Sequence, residues 1–95
     1  RIGVVTCVFN NSAFGNVRRD QLNNYEGRLI GADLTNPDFV KLGESFGVAS
    51  FRVKSPEALA PVLEKALALD APALIEIAVE RGSEASPWPF LHPYR

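Results

Sequence analysis

Asn10 and Asn11 stand side by side, followed by Ser12, Ala13, Phe14 and Gly15, directly after an apolar run. Small polar residues, a glycine and a helix start just beyond a strand are what an anion or metal site uses, because they bring amide oxygens and backbone N–H groups together. An asparagine pair also makes an ordinary turn, since Asn tolerates left-handed backbone and bonds its own main chain. Both readings stand at the level of the doublet. The other reactive residue types are sparse. Cys7 is the single cysteine and His92 the single histidine, so no disulfide within the chain and no four-ligand zinc site can be built. Cys7 lies inside the apolar run and reads as a small buried hydrophobe. His92 lies in a proline-rich tail and reads as a tail residue.

The elements that must position the doublet follow from pattern. Residues 2–9 (IGVVTCVF) form a continuous apolar, β-branched run that suits a strand buried on both faces, as in a parallel sheet. Residues 15–25 can form a short, exposed helix. Arg18, Arg19 and Asp20 make its solvent face, with a subunit contact as the alternative. Residues 26–35 have no clear period and read as a loop. Asn36-Pro37-Asp38 is a helix start, with Asn36 as cap and Pro37 in the first position. Phe39, Leu42 and Phe46 then share a face, and Gly47 is placed to end the helix in a left-handed conformation. A short strand is expected at 48–53. Ser55-Pro56-Glu57 starts another helix, whose apolar stripe is Leu59, Val62, Leu63, Ala66 and Leu67. Asp70-Ala71-Pro72 breaks it, and 73–79 reads as a buried strand. This alternation predicts an α/β fold, a mostly parallel sheet flanked by helices.

Composition bounds the function classes. A chain of 95 residues makes one modest domain. Its 46% hydrophobic and 22% charged residues are ordinary for a globular protein. A net charge of −1 with scattered signs provides no polyanion-binding face, so nucleic acid is not an expected partner. No run approaches the roughly 20 apolar residues of a membrane span, and no signal peptide is visible. A cytoplasmic protein is expected. The opening Arg1, leading straight into a strand, reads as the interior of a longer protein. Residues 81–95, rich in Pro and aromatics, read as a tail in which Trp88, Phe90 and Leu91 need an apolar surface to cover.

The stretch VVTCVFNNSAFGNVRRDQ resembles the second half of the thiamine diphosphate fingerprint of the acetolactate synthase and benzoylformate decarboxylase family. DFVKLGESFGV resembles the helix after that family's loop, with small Gly43 in register, and LALDAPALIEIAVE resembles its closing helix and strand. The resemblance covers residues 2–80. It implies that residues 1–80 are the C-terminal part of a cofactor-binding domain, with 81–95 a tail. It also implies thiamine diphosphate and Mg²⁺ as cofactors. By resemblance, Asn11 gives its side-chain oxygen to the metal and Ala13 its backbone carbonyl. Phe14 takes the place of a family aromatic, and Gly15 lets the backbone approach the cofactor. Asn16 and Val17 are then candidates for substrate-pocket walls, or else solvated helix positions.

The family's Gly-Asp-Gly half, with the one charged protein ligand, is not in this sequence, and its activating glutamate lies in another domain, usually of a neighbouring subunit. The resemblance therefore implies a piece of an enzyme that decarboxylates or joins 2-oxo acids. Its partners would be upstream domains, a small 2-oxo acid and further copies in a homo-oligomer. The chain by itself, with no catalytic acid or base, is expected to be inactive. Asn16 and Asp20 stand where acetolactate synthases carry Met and Trp, which favours another 2-oxo acid or an aldehyde as substrate. Two rivals remain: a stand-alone, non-catalytic α/β binding or regulatory module, although no G-x-G-x-x-G turn supports it, and a relative that kept the fold and lost activity.

Overall fold

The computed structural model describes residues 2–83, 85 and 91. Its elements run β1 (Val5–Asn10), α1 (Gly15–Asn24), α2 (Phe39–Ser45), β2 (Ala49–Val53), α3 (Pro56–Ala68) and β3 (Ala73–Ala78). The strands form one parallel sheet in the order β1-β3-β2. The expected α/β fold with a parallel sheet between helices is present. The chain leaves β1 at one edge, crosses to β2 at the other, and returns through α3 to β3 between them. Parallel crossovers are right-handed, so connections running in opposite directions across a sheet place their helices on opposite faces.

Register and contacts bear this out. Val5, Cys7 and Phe9 lie opposite Ala73, Ile75 and Ile77, which in turn lie opposite Ala49, Phe51 and Val53. All of these share one face. There α3 supplies Ala66, with Ala58, Leu59, Val62 and Leu63 around it, to a core of Val53, Ala73 and Ile75. The helical stripe read from the sequence is thus the packed face, apart from Leu67, which is exposed. On the other face, α2 lies against β2 and β3. Its Gly43 is buried so close to Ser50 that a Cβ there would collide with the Ser50 side chain. Helix and strand approach so closely because that position has no side chain.

The helix starts differ from expectation in one place. Asp38, not Asn36, caps α2, its Oδ1 accepting the Lys41 N–H at 3.1 Å, and Pro37 precedes the helix. Asn36 is drawn off by another partner, described below. The α3 start at Ser55-Pro56 is as expected, and Gly47 takes the left-handed conformation at φ 72°.

The larger correction concerns β1. Its sequence suits burial on both faces, with Cys7 as a buried hydrophobe, but Cys7 is exposed and Phe9 is 70% exposed. The reason is topological: β1 is an edge strand, and α3 packs on β2 and β3. Val5 at the start of β1 reaches the core beneath α3. Beyond it, nothing among the described residues covers the α3-side face of the strand. α1 is exposed as expected, with no buried residue. No helix among the described residues is long and apolar enough to cross a membrane. Trp88, Phe90 and His92 lie outside the described residues, and Leu91 is exposed.

Two outcomes are expected. Made by itself, the 95-residue chain self-associates through the open β1 edge and its bare apolar face, and Phe9→Lys reduces this. Light scattering measures it; a monomer that melts cooperatively would count against it. Gly43→Ala accelerates hydrogen exchange of the β2 amides, because overpacking of about 1–3 kcal/mol outweighs a helix-propensity gain of about 1 kcal/mol. Ser50→Ala in the same molecule returns part of the loss.

Candidate functional site at the strand ends

In open α/β sheets, ligands bind outside the carboxyl ends of the strands, and there β1 delivers the asparagine doublet. The segment after β1 turns sharply. Ser12 sits at φ 56°, a left-handed conformation that costs a non-glycine residue about 1–2 kcal/mol. Side chains offset that cost. Asn10 Oδ1 accepts the Ser12 N–H at 3.1 Å, and Asn11 Oδ1 accepts the Ala13 N–H at 3.2 Å. Both asparagines therefore make the turn that the doublet suggested.

The turn is clamped from outside. Ala13 bridges Asp33 in antiparallel fashion, with Phe14 N–H donating to Ala32 O at 2.8 Å and Leu34 N–H to Ser12 O at 2.7 Å. These two bonds flank Ala13 and leave its own carbonyl out of the ladder. Residues 26–35 form a loop, as expected, and Ala32 within it is fully buried. Gln21 holds the same segment from α1, bonding both the N–H and the carbonyl of Ile30. Arg18 pairs with Asp33 at 3.0 Å, and Arg81 reaches both Asp33 at 3.5 Å and the Ser12 carbonyl at 3.0 Å. Arg18 reads in the sequence as part of a solvent face and is instead a tether. Arg81, placed at the start of the tail, also holds the site. Asp33 and Arg81 gave no sequence signal, because their partners lie 15 to 69 positions away in the chain.

Beneath the turn lies a polar network on the α2 side of the sheet. Glu76, on central β3, is 5% exposed. A carboxylate so enclosed needs donors. Arg52, its direct neighbour on β2, donates at 3.4 Å, and Asn10 Nδ2 donates at 3.5 Å. Arg52 also pairs with Asp38 at 2.6 Å. Asn36 Nδ2 donates to Asn10 Oδ1 at 2.8 Å, which is why Asn36 does not cap α2. The Lys41 N–H, and then Arg52, hold the Asp38 carboxyl below the usual carboxylate range, against an opposing effect of burial. Glu76 first and Asp38 second stabilise the Arg52 cation. None of this network is legible in the sequence; a charged residue inside the apolar strand 73–79 is its one visible sign.

The remaining candidates separate. Phe14 is the residue before α1 and is 55% exposed; Gly15 opens that helix. Asn16 bonds Arg19 on the helix surface and Val17 is 51% exposed, so within this chain both are solvated helix positions. A separate apolar cleft of about 540 Å³ opens on the α3 side between Phe9, Pro56, Leu59 and Val79.

The residues fit a magnesium diphosphate in part. Asn11 Oδ1 and the Ala13 carbonyl are hard oxygen donors of the kind Mg²⁺ takes. The first turn of α1 carries no side-chain cap and no acidic residue, which leaves its N–H groups suited to an anion. No group of three or more His, Cys, Asp or Glu residues that could hold a metal occurs among the described residues. The donor set is neutral and incomplete: a metal held here would need further oxygens and negative charge from a bound phosphate or from outside these residues.

Residues 1–77 match the family described as "Thiamine pyrophosphate enzyme, C-terminal TPP binding domain". Among curated proteins, the chain is similar to a probable acetolactate synthase large subunit of Methanococcus aeolicus, 35% identical over 90% of this chain and 14% of that protein. It is 38% identical to an acetolactate synthase of Bacillus subtilis over 81% of this chain and 13% of that protein. With the acetolactate synthase large subunit of Corynebacterium glutamicum the figures are 37%, 88% and 14%. The chain thus spans about one seventh of the length of these relatives.

Replacing Asp38 with Asn keeps a good helix cap and removes only the charge. Because the folded pKa of Asp38 is depressed, its stabilisation is complete above the ordinary carboxylate range and is lost as the pH falls through the lower folded value. Wild type is therefore expected to exceed Asp38→Asn in melting temperature at neutral pH, with the difference closing in acid. A pH series of thermal melts measures this.

Proposed function

From the premise that the chain belongs to the thiamine pyrophosphate enzyme family through its C-terminal TPP-binding domain, we propose that it forms part of a thiamine diphosphate- and Mg²⁺-dependent enzyme acting on a 2-oxo acid. Residues 1–80 are the cofactor-domain portion and 81–95 a tail. Asn11 contributes its amide oxygen and Ala13 its carbonyl to the metal, and Phe14 and Gly15 adjoin the cofactor. Asn16 and Val17 face the substrate once neighbouring domains are in place. When bound, the cofactor supplies the nucleophilic carbon that adds to the 2-oxo acid carbonyl, and decarboxylation or carboligation follows. This chain's residues bind, orient and neutralise; they include no acid or base for the chemistry, and the chain by itself is inactive. The whole protein is a cytoplasmic homo-oligomer.

The observation that carries this reading is the turn at Ser12. It sets the Asn11 amide and the Ala13 carbonyl beside the uncapped start of α1, at the strand ends where α/β sheets bind ligands. The exposed Cys7 and Phe9 on β1 support a larger domain around this one.

The test is CO₂ release from a panel of 2-oxo acids, beginning with pyruvate, by the full-length protein that carries this segment. Release is expected to require both thiamine diphosphate and Mg²⁺. Asn11→Ala is expected to raise the half-saturating Mg²⁺ concentration at least tenfold, as losing one metal ligand costs roughly 1.4 kcal/mol or more. Turnover indifferent to the cofactor, or an Asn11→Ala variant with unchanged metal dependence, would sink the proposal.

A further inference from the structure

The two asparagines of the doublet have different surroundings. Asn11 lies beyond the end of β1 and bonds within the turn. Asn10 is the last residue of β1 and lies on the α2 side of the sheet, on the same face as Glu76. Its amide joins three separate parts of the chain. Nδ2 donates to the buried Glu76 carboxylate of the central strand at 3.5 Å. Oδ1 accepts from Asn36 Nδ2 at 2.8 Å, from the Ser12 N–H at 3.1 Å and from Ser12 Oγ at 3.5 Å. Glu76 is itself braced by Arg52, which is braced by Asp38 at the start of α2.

We propose that Asn10 is a positioning residue: through Glu76 and Arg52 it ties the left-handed turn at Ser12 to the rigid centre of the sheet, and so sets where the Asn11 amide and the Ala13 carbonyl stand. This inference rests on the metal-binding reading given above and deepens it. A turn residue in a left-handed conformation needs an external hold, because the relaxed backbone would leave that region. The amide of Asn10 provides the hold at the Ser12 N–H, and its orientation is not free. Glu76 only accepts, so Nδ2 must face it, which turns Oδ1 toward Ser12 and Asn36. The buried carboxylate thereby dictates which way the asparagine points. Replacing a group that orients a metal ligand in this way typically costs about 10–100-fold in metal affinity.

The polarity of that one bond can be reversed. Asn10→Asp keeps an acceptor toward Ser12 and Asn36 but sets a second carboxylate against Glu76. Glu76→Gln in the same molecule supplies an amide donor to the new carboxylate at position 10, while its own carbonyl still faces Arg52; total charge is unchanged from wild type. The experiment is calorimetric titration of Mg²⁺ and thiamine diphosphate into the full-length protein and its variants, with thermal melts of each without cofactor. Asn10→Asp and Glu76→Gln are each expected to weaken Mg²⁺-dependent cofactor binding about tenfold or more, and the double variant to return within about threefold of wild type. The turnover at saturating Mg²⁺ is expected to fall much less than the affinity. If the single variants lower the melting temperature but bind metal and cofactor as wild type does, Asn10 is merely structural and the proposal is overturned. If the double variant binds no better than the singles, the bond between positions 10 and 76 is not the link, and the proposal is also overturned. Asn11→Ala separates the two readings: unaltered Mg²⁺ binding in that variant would condemn the metal site itself, whatever position 10 does.

Discussion

A carboxylate sealed inside a protein is tolerated only where donors surround it, and Glu76 is such a carboxylate on the central strand of this sheet. Its needs arrange the surrounding structure. Arg52 is its cross-strand partner, so β2 must lie beside β3 in the observed register. Arg52 carries a second bond to Asp38, which caps α2 and sets that helix over the same face. Asn10 meets the other carboxylate oxygen and brings the end of β1 into the same network. One buried acid thus ties both edge strands and a helix together at the end of the sheet where the Ser12 turn begins.

The two faces of the sheet divide the work. The α3 side is apolar and supplies packing, through Ile75, Val53 and Ala73 beneath the helix stripe. The α2 side becomes polar toward the strand ends, where Glu76, Arg52 and Asn10 replace the small, close-packed contact of Gly43 with Ser50. A strained turn gains from such a foundation. The Ser12 turn costs conformational energy and persists because bonds from Asn10, Leu34 and Arg81 converge on it.

The apolar character of β1 and its exposure belong together. A parallel strand buried on both faces reads as a continuous hydrophobic run, and residues 2–9 have that character. Yet Ile2, Val4 and Phe9 are open to solvent, and Cys7 with them. The hydrophobicity of a strand reports the environment to which its sequence is suited, while the burial observed depends on which elements are present to cover it.

The sequence by itself determined the elements, the α/β class, the family resemblance and the turn that carries Asn11 to Gly15, because each is written in local spacing: apolar runs, helix stripes, Pro and Gly breaks, and a short motif. It placed the α2 cap at Asn36 rather than Asp38, since capping preference cannot reveal that Asn36 has a better partner in Asn10. Only the tertiary structure decided that β1 is an edge, that Arg18 and Arg81 meet at Asp33, and that Glu76, Arg52 and Asp38 stand behind the asparagine doublet. Those facts depend on strand order and crossover. Residues as distant in the chain as Asn10 and Glu76 become neighbours through the sheet, and no local pattern records which distant donor a buried carboxylate will find.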